Sequence, residues 1–248
     1  MEIKNLEKLP VGVKNVLEPY LNEIIQAYDK DIVSIFAYGS VTGPDYNPKT
    51  SDINLAIVLK EVSLEKLKPV LKTAKSGMKR KVTAPLFLSP SYIKMSLDTF
   101  PMEFMSMKDS RLVLAGDDVL ADVEVDKADL RRECEYQLKG KLLTIRQAYL
   151  EQGLNRKGLE GLVKNSFRAL LPVFQNVLRL RNESLPTGKE EILCQMGEEY
   201  DLDVSSFLEI LRDKKTDGRI GGKPLEEFLE DFLKQLERLT DIVDGMMV

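Results

Sequence analysis

The stretch that decides the fold is Gly39-Ser40-Val41-Thr42-Gly43, which a loop separates from Ser51-Asp52-Ile53-Asn54. An apolar segment lies on either side of this stretch, at Ile32 to Tyr38 and at Leu55 to Leu59. Each apolar segment has the length and the composition of a buried strand. The sequence therefore predicts two strands, with a Gly-Ser turn where the first one ends and an acidic residue where the second one begins.

The two ends of these strands suit a phosphate and a divalent metal ion. A glycine followed by a small hydroxyl residue lets a phosphate approach bare backbone N–H groups. In a strand Asp52 and Asn54 lie on the same face, because successive side chains alternate. Neighbouring oxygen ligands suit Mg²⁺, which takes few protein ligands besides phosphate oxygens. The alternative interpretation is a surface turn in which Asp52 serves only as a loop cap.

These residues resemble the signature of the polymerase-beta-type nucleotidyltransferase superfamily. In that signature a Gly-Ser pair is followed, after about ten residues, by Asp-x-Asp or Asp-x-Glu. The resemblance implies that Gly39, Ser40 and Ser51 bind a nucleoside triphosphate such as ATP. It also implies that Asp52 and Asn54 are catalytic residues that bind Mg²⁺ or Mn²⁺. The sequence departs from the signature at Asn54, where an amide replaces a carboxylate.

The superfamily also carries a third carboxylate on a later strand, and Glu103 is the candidate. It lies within Phe100-Pro101-Met102-Glu103-Phe104-Met105, which is otherwise apolar. A lone carboxylate in a buried strand needs a partner or a function. We therefore predict a strand over 102–107. We assign Glu103 a catalytic and metal-binding role, in which it accepts the proton of the acceptor group.

Composition restricts the chemistry of this 248-residue chain, which has no histidine, two cysteines and a net charge of −4. The absence of histidine excludes a Ser-His-Asp triad, a histidine base and histidine metal ligands. Carboxylates, Lys, Tyr, Ser and oxygen-bound metals remain, and nucleotidyl transfer suits that set. The net charge argues against a strongly electrostatic nucleic-acid binder. Since no apolar run is long enough to cross a membrane and no signal peptide is evident, we expect a cytoplasmic protein.

The chain is predicted to be an α+β protein with two domains. Residues 1–125 read as a nucleotidyltransferase-like domain, a small mixed sheet of four strands with helices on one face. Residues 126–248 repeat apolar side chains at helical spacing and read as an all-helical bundle. The order of elements resembles the aminoglycoside and minimal nucleotidyltransferases. The second half resembles the helical domain of kanamycin nucleotidyltransferase or of HEPN proteins.

The first helix of the second domain carries Lys139 and Lys141. In related two-domain enzymes the helical domain closes the cleft, so the resemblance implies that these lysines hold triphosphate oxygens. The alternative is a solvated helix face with ion pairs four residues apart. The last helix and the tail Asp244–Val248 suit either intramolecular packing or an interface, and a homo-oligomer through the helical domain is one possibility.

Three functions fit these observations. The first is metal-dependent transfer of a nucleotidyl group from a nucleoside triphosphate to an unknown acceptor. The second is a regulator that binds nucleotides or a partner protein, with catalysis impaired by Asn54. The third is an interaction module of a toxin–antitoxin type, which the missing histidine disfavours as an active toxin.

Overall fold

A computed structural model describes residues 1–44, 46–182, 184–186, 188–212, 219–220 and 223–248. The chain divides into two compact units, Met1–Val125 and Asp126–Val248. Within the described residues no helix has both the length and the apolar character needed to cross a bilayer.

The described residues of the first unit form a mixed four-stranded sheet and five α-helices. Its helices are α1 Val11–Tyr28, α2 Leu64–Leu67, α3 Leu71–Met78, α4 Pro90–Met95 and α5 Pro101–Ser110. Its strands are β1 Ile32–Tyr38, β2 Asn54–Leu59, β3 Leu86–Leu88 and β4 Leu112–Gly116. The strand order is β3-β2-β1-β4. Strand β1 is antiparallel to both β2 and β4, whereas β2 and β3 are parallel, which confirms the predicted mixed sheet.

Both faces of the sheet are buried, so the prediction of helices on one face is wrong. One face packs Ile35, Leu55 and Ile57 against Leu17 and Leu21 of α1. The other face packs against α4, α5 and the segment after β4, and its cluster contains Phe36, Ala56, Val58, Ile93, Phe104, Met107, Leu120 and Val123. The physical reason is that β1 and β2 are apolar at nearly every position, which requires cover on both sides.

The prediction of a strand over 102–107 is also wrong, because these residues belong to α5. Pro101 stands at the start of this helix, where its fixed φ and missing N–H are tolerated. The buried Pro101, Phe104 and Met107 recur every three residues, which is the spacing of one helix face. The fourth strand of the sheet is instead β4, which follows α5 along the chain.

The second unit is the predicted helical bundle. Its helices are α6 Lys127–Gln152, α7 Arg156–Arg179, α8 Lys189–Tyr200, α9 Ser205–Arg212 and α10 Leu225–Asp244, and two short paired strands are β5 Arg219–Ile220 and β6 Lys223–Pro224. Asp126 caps α6, because its Oδ1 accepts a hydrogen bond from Ala128 N at 2.7 Å. Phe207 lies at the centre of an aromatic cluster, with ring centroids 5.2 Å from those of Phe174 and Phe232.

Gly116 gives a test of how tightly β4 joins β1. Its φ is +72°, and a side chain there would overlap the carbonyl oxygen of Val33. We expect Gly116→Ala to lower the free energy of unfolding by at least about 2 kcal/mol, because a non-glycine residue at this φ is strained. Urea unfolding followed by circular dichroism measures the change. Gly12→Ala is the control, since nothing lies within 4 Å of the added methyl group. A loss of equal size in both variants would contradict the prediction.

Candidate functional site

The candidate site lies where β1 ends and β2 begins. The antiparallel register pairs Tyr38 with Asn54, so the turn that follows β1 lies beside the start of β2. Gly39 has a φ of +79°, and a Cβ placed on it would lie 3.3 Å from Asn54 Nδ2. Glycine is therefore required for its backbone conformation and is favoured by the close approach of the amide. The structure thus brings together the two halves of the sequence signature.

Asp52 is exposed beside this turn. Backbone hydrogen bonds hold its neighbour Ile53, whose N–H donates to Lys81 O at 2.8 Å and whose carbonyl accepts from Thr83 N at 3.0 Å. Among the residues that the structure describes, none forms a hydrogen bond or ion pair with the Asp52 carboxylate. A charged oxygen pair is therefore available to a ligand, on a backbone that the sheet fixes in place.

Thr83 is a site residue that the sequence analysis missed. Its hydroxyl donates to Asn54 Oδ1 at 3.1 Å and lies 3.3 Å from the carbonyl oxygen of Ile53. The signal that identifies it is its hydroxyl group within the otherwise apolar segment Val82–Leu88. The position next to Asn54 thus carries a hydroxyl group rather than a third carboxylate.

The Gly-Ser turn is held by the end of α5. Gly39 N–H donates to Ser110 Oγ at 2.9 Å, and Ser110 Oγ donates to Ser106 O at 2.7 Å. The Thr42 hydroxyl also donates to Gly39 O and to Ser110 O. A phosphate that binds to the Gly39 N–H group must therefore displace the Ser110 hydroxyl.

The two serines of the signature lie in different surroundings. Ser40 is half-buried within the 3₁₀ turn Gly39–Thr42, and its carbonyl accepts from Gly43 N at 3.1 Å. The Ser51 hydroxyl accepts from Asn47 N at 3.0 Å. Lys81 closes the same loop by donating to Pro48 O at 2.9 Å. Ser51 thus shapes the loop before Asp52, and contact with a nucleotide stays a prediction.

Glu103 lies on the exposed face of α5. Its neighbour Phe104 packs on the sheet, in the same cluster as Ala56. The argument that Glu103 is a lone carboxylate in a buried strand is therefore wrong, because the residue is helical and solvated. Its role as the third carboxylate stays a prediction without that support.

The residues of the candidate site provide only part of what a metal ion needs. No group of three or more Cys, Asp and Glu side chains among the described residues is placed to hold a metal ion. The oxygens present are one carboxylate at Asp52, the amide of Asn54 and the hydroxyl of Thr83. Mg²⁺ is commonly bound by one or two carboxylates plus substrate phosphates. The set therefore fits an ion shared with a triphosphate, with Asp52 as the anionic ligand and Asn54 as a neutral one.

Lys139 and Lys141 belong to the helical unit. Lys139 Nζ donates to Glu135 Oε1 at 2.6 Å and to Asp244 Oδ1 at 3.1 Å. These two hydrogen bonds, that of Glu135 above all, raise the pKa of Lys139. Lys141 lines a 460 Å³ groove between α6 and α7, beside Asn165 and Ser166. The ion pairs of Lys139 agree with the alternative of a solvated helix face, and triphosphate binding by either lysine stays a prediction.

Comparisons with known proteins address the fold. Neither a protein-family model nor a curated protein matches the sequence. A solved structure does match: the spectinomycin adenyltransferase AAD(9) from Enterococcus faecialis, determined with ATP and spectinomycin. The match covers 91% of this chain and 97% of that chain, with a TM-score of 0.52 and 11% sequence identity. The likeness therefore includes the helical half, and the chain shares the fold of this adenyltransferase.

Proposed function

We propose that this chain binds a nucleoside triphosphate where the Gly39 turn meets Asp52, and transfers a nucleotidyl group from it. The observation that supports this is the β1–β2 register, which sets a positive-φ glycine turn beside an exposed carboxylate that no described residue pairs. The similar structure contains ATP, which supports ATP as the nucleotide. The acceptor is a hydroxyl or phosphate group that attacks the α-phosphorus, and pyrophosphate is the leaving group.

Each residue of the edge has a distinct part in this proposal. The backbone N–H groups of the turn and the Ser40 hydroxyl bind the β- and γ-phosphates. Asp52 provides the negative charge that holds a Mg²⁺ ion with the triphosphate, and the ion neutralises phosphate charge when bound. Glu103 is the proposed base for the acceptor's proton, and Lys139 and Lys141 are the proposed cationic contacts.

A second candidate is a nucleotide-binding regulator without turnover. Asn54 removes one negative charge beside a dication, where charge-assisted contacts are strongest. The hydroxyl group of Thr83 donates a hydrogen bond to the Asn54 side chain, and the Ser110 hydroxyl accepts the hydrogen bond of the Gly39 N–H group. These features weaken metal binding and phosphate access, while leaving Asp52 exposed for a nucleotide-bound ion.

The first test is calorimetric titration with ATP, GTP, CTP and UTP, with and without Mg²⁺. We expect Mg²⁺-dependent binding that Asp52→Asn weakens by about 10- to 100-fold, the effect of losing one charged contact of about 1.5–3 kcal/mol. Asp122→Asn is the control, because Asp122 is another exposed aspartate of the same unit. Absence of binding to every triphosphate at millimolar concentration would refute both candidate functions.

Asn54→Asp separates the enzyme from the regulator. The new carboxylate restores the second anionic ligand, so we expect Mg²⁺-triphosphate affinity to rise by about tenfold or more. Pyrophosphate release is measured on both proteins, with Asn47→Asp as a control in the nearby loop. Release by the native chain, abolished by Asp52→Asn, supports the enzyme. Release only after Asn54→Asp supports the regulator, and affinity unchanged by Asn54→Asp would contradict the assignment of position 54 to the metal site.

Ser110→Ala tests whether phosphate and Ser110 compete for the Gly39 N–H group. Without a ligand the variant loses a part-buried hydrogen bond, so we expect about 1 kcal/mol less stability. With Mg²⁺-ATP the freed N–H group binds phosphate, and the thermal shift should exceed that of the native chain. Thr99→Ala is the control, because among the described residues its hydroxyl bonds just the adjacent Asp98 at the surface. A smaller ligand-induced shift in Ser110→Ala would contradict the competition.

A further inference from the structure

Helix α6 has two apolar sides. Its inner side carries the buried Leu130, Cys134, Leu138, Leu142 and Ile145. Its outer side carries Tyr136, Leu143 and Leu150, whose exposed fractions are 74%, 68% and 86%. Leu154, in the turn after the helix, is fully exposed. Three large apolar side chains thus lie along the outer side of α6, and a fourth follows in the turn after it.

These residues follow a heptad. Positions 136, 140, 143, 147, 150 and 154 are separated alternately by four and three residues, which is the spacing of a helix–helix seam. We call Tyr136, Gly140, Leu143, Gln147, Leu150 and Leu154 the outer stripe. Single exposed apolar residues are ordinary in proteins, but several in one seam mark an interaction surface. The outer stripe therefore has the pattern of a surface that packs on another helix.

We propose that the outer stripe packs antiparallel on the outer stripe of a second copy of this chain. A two-fold axis near Ile145 superimposes the stripe on itself over its whole length, since 145 is midway between 136 and 154. Gly140 then faces the partner's Leu150, and Tyr136 faces the partner's Leu154. Nothing lies within 4 Å of a Cβ placed on Gly140, so this gap receives the partner's leucine. This large-against-small match argues for a second copy as the occupant.

The charges beside the stripe also suit an identical partner. On one edge, Lys139 is paired with Glu135 and Asp244, and Arg146 is paired with Glu237 at 2.5 Å. Because these cations are neutralised within their own chain, the same edge of a second copy can approach without strong repulsion.

The opposite edge of the stripe is mostly uncharged. It carries Gln137, Thr144 and Glu151. The antiparallel pairing brings Gln137 close to the partner's Glu151, where the amide can donate to the carboxylate. Thr144 lies next to the two-fold axis, so the two copies of Thr144 come close together. This closeness gives the proposal a feature that cross-linking can detect.

Sedimentation of the full chain over a concentration series tests the proposal. We expect a monomer–dimer equilibrium that Leu150→Glu shifts to monomer, with unchanged circular dichroism because Leu150 is exposed. Leu64→Glu is the matched control, since Leu64 is 80% exposed on α2 and outside the stripe. Gly140→Leu fills the gap that receives Leu150, so it should also yield monomer, although leucine is the better helix former. A native chain that stays monomeric at the highest concentration would overturn the proposal.

Cross-linking tests the register independently. With Cys194→Ser removing the exposed native thiol, Thr144→Cys should form a disulfide-linked dimer under mild oxidation. Arg132→Cys is the control, because it is exposed on α6 but lies outside the stripe. A dimer that survives both Leu150→Glu and Gly140→Leu, or one that cross-links equally through either cysteine, would refute this interface. Without nucleotide, Asp52→Asn should remain a dimer, so a failure of nucleotide binding is distinguishable from a failure of this interface.

Discussion

The burial of β1 and β2 on both faces is the constraint on which the sheet domain depends. Leu55 and Ile57 fill one core, and Ala56 and Val58 fill the other, all with negligible exposure. Each large apolar side chain buried in this way contributes about 1.5–3 kcal/mol. A slip of one residue would exchange the two faces of β2, so the register is strongly specified. The contact between Gly39 and Asn54 follows from this register rather than from any attraction between those two residues.

The same constraint explains why the polar chemistry lies at the strand ends. Inside β1 the polar exception is Ser34, and its buried hydroxyl needs the carbonyl of Asp117 as a partner. Asn54 is the first residue of β2 and is half-buried, and Asp52, two residues before it, is exposed. An amide at position 54 accepts the Thr83 hydrogen bond without needing a cation beside it. A carboxylate there would depend more strongly on a bound ion, so Asn54 favours a sheet edge that is stable without a ligand.

The sequence predicts the parts of the fold in which local signals agree. Strand β1 has the predicted bounds, because its apolar composition and the Gly-Ser pair that follows it indicate the same end. Segment 102–107 fails because an apolar run suits either a strand or a buried helix, and Pro101 decides between them. The contacts of Thr83 and Ser110 depend on which segments meet in space. No local pattern reports that, so the site was only partly predictable.

Lys139 has a part in both proposals. It is the predicted nucleotide contact of the helical unit, and it also flanks the outer stripe of α6. Its hydrogen bonds to Glu135 and Asp244 raise its pKa, so Lys139 is charged at neutral pH in this arrangement. If Lys139 binds triphosphate oxygens instead, its present partners lose a cation. Glu135 and Asp244 would then be unneutralised at the edge where two copies would meet. The added negative charge would then oppose dimerisation, and by linkage dimerisation would oppose that nucleotide contact.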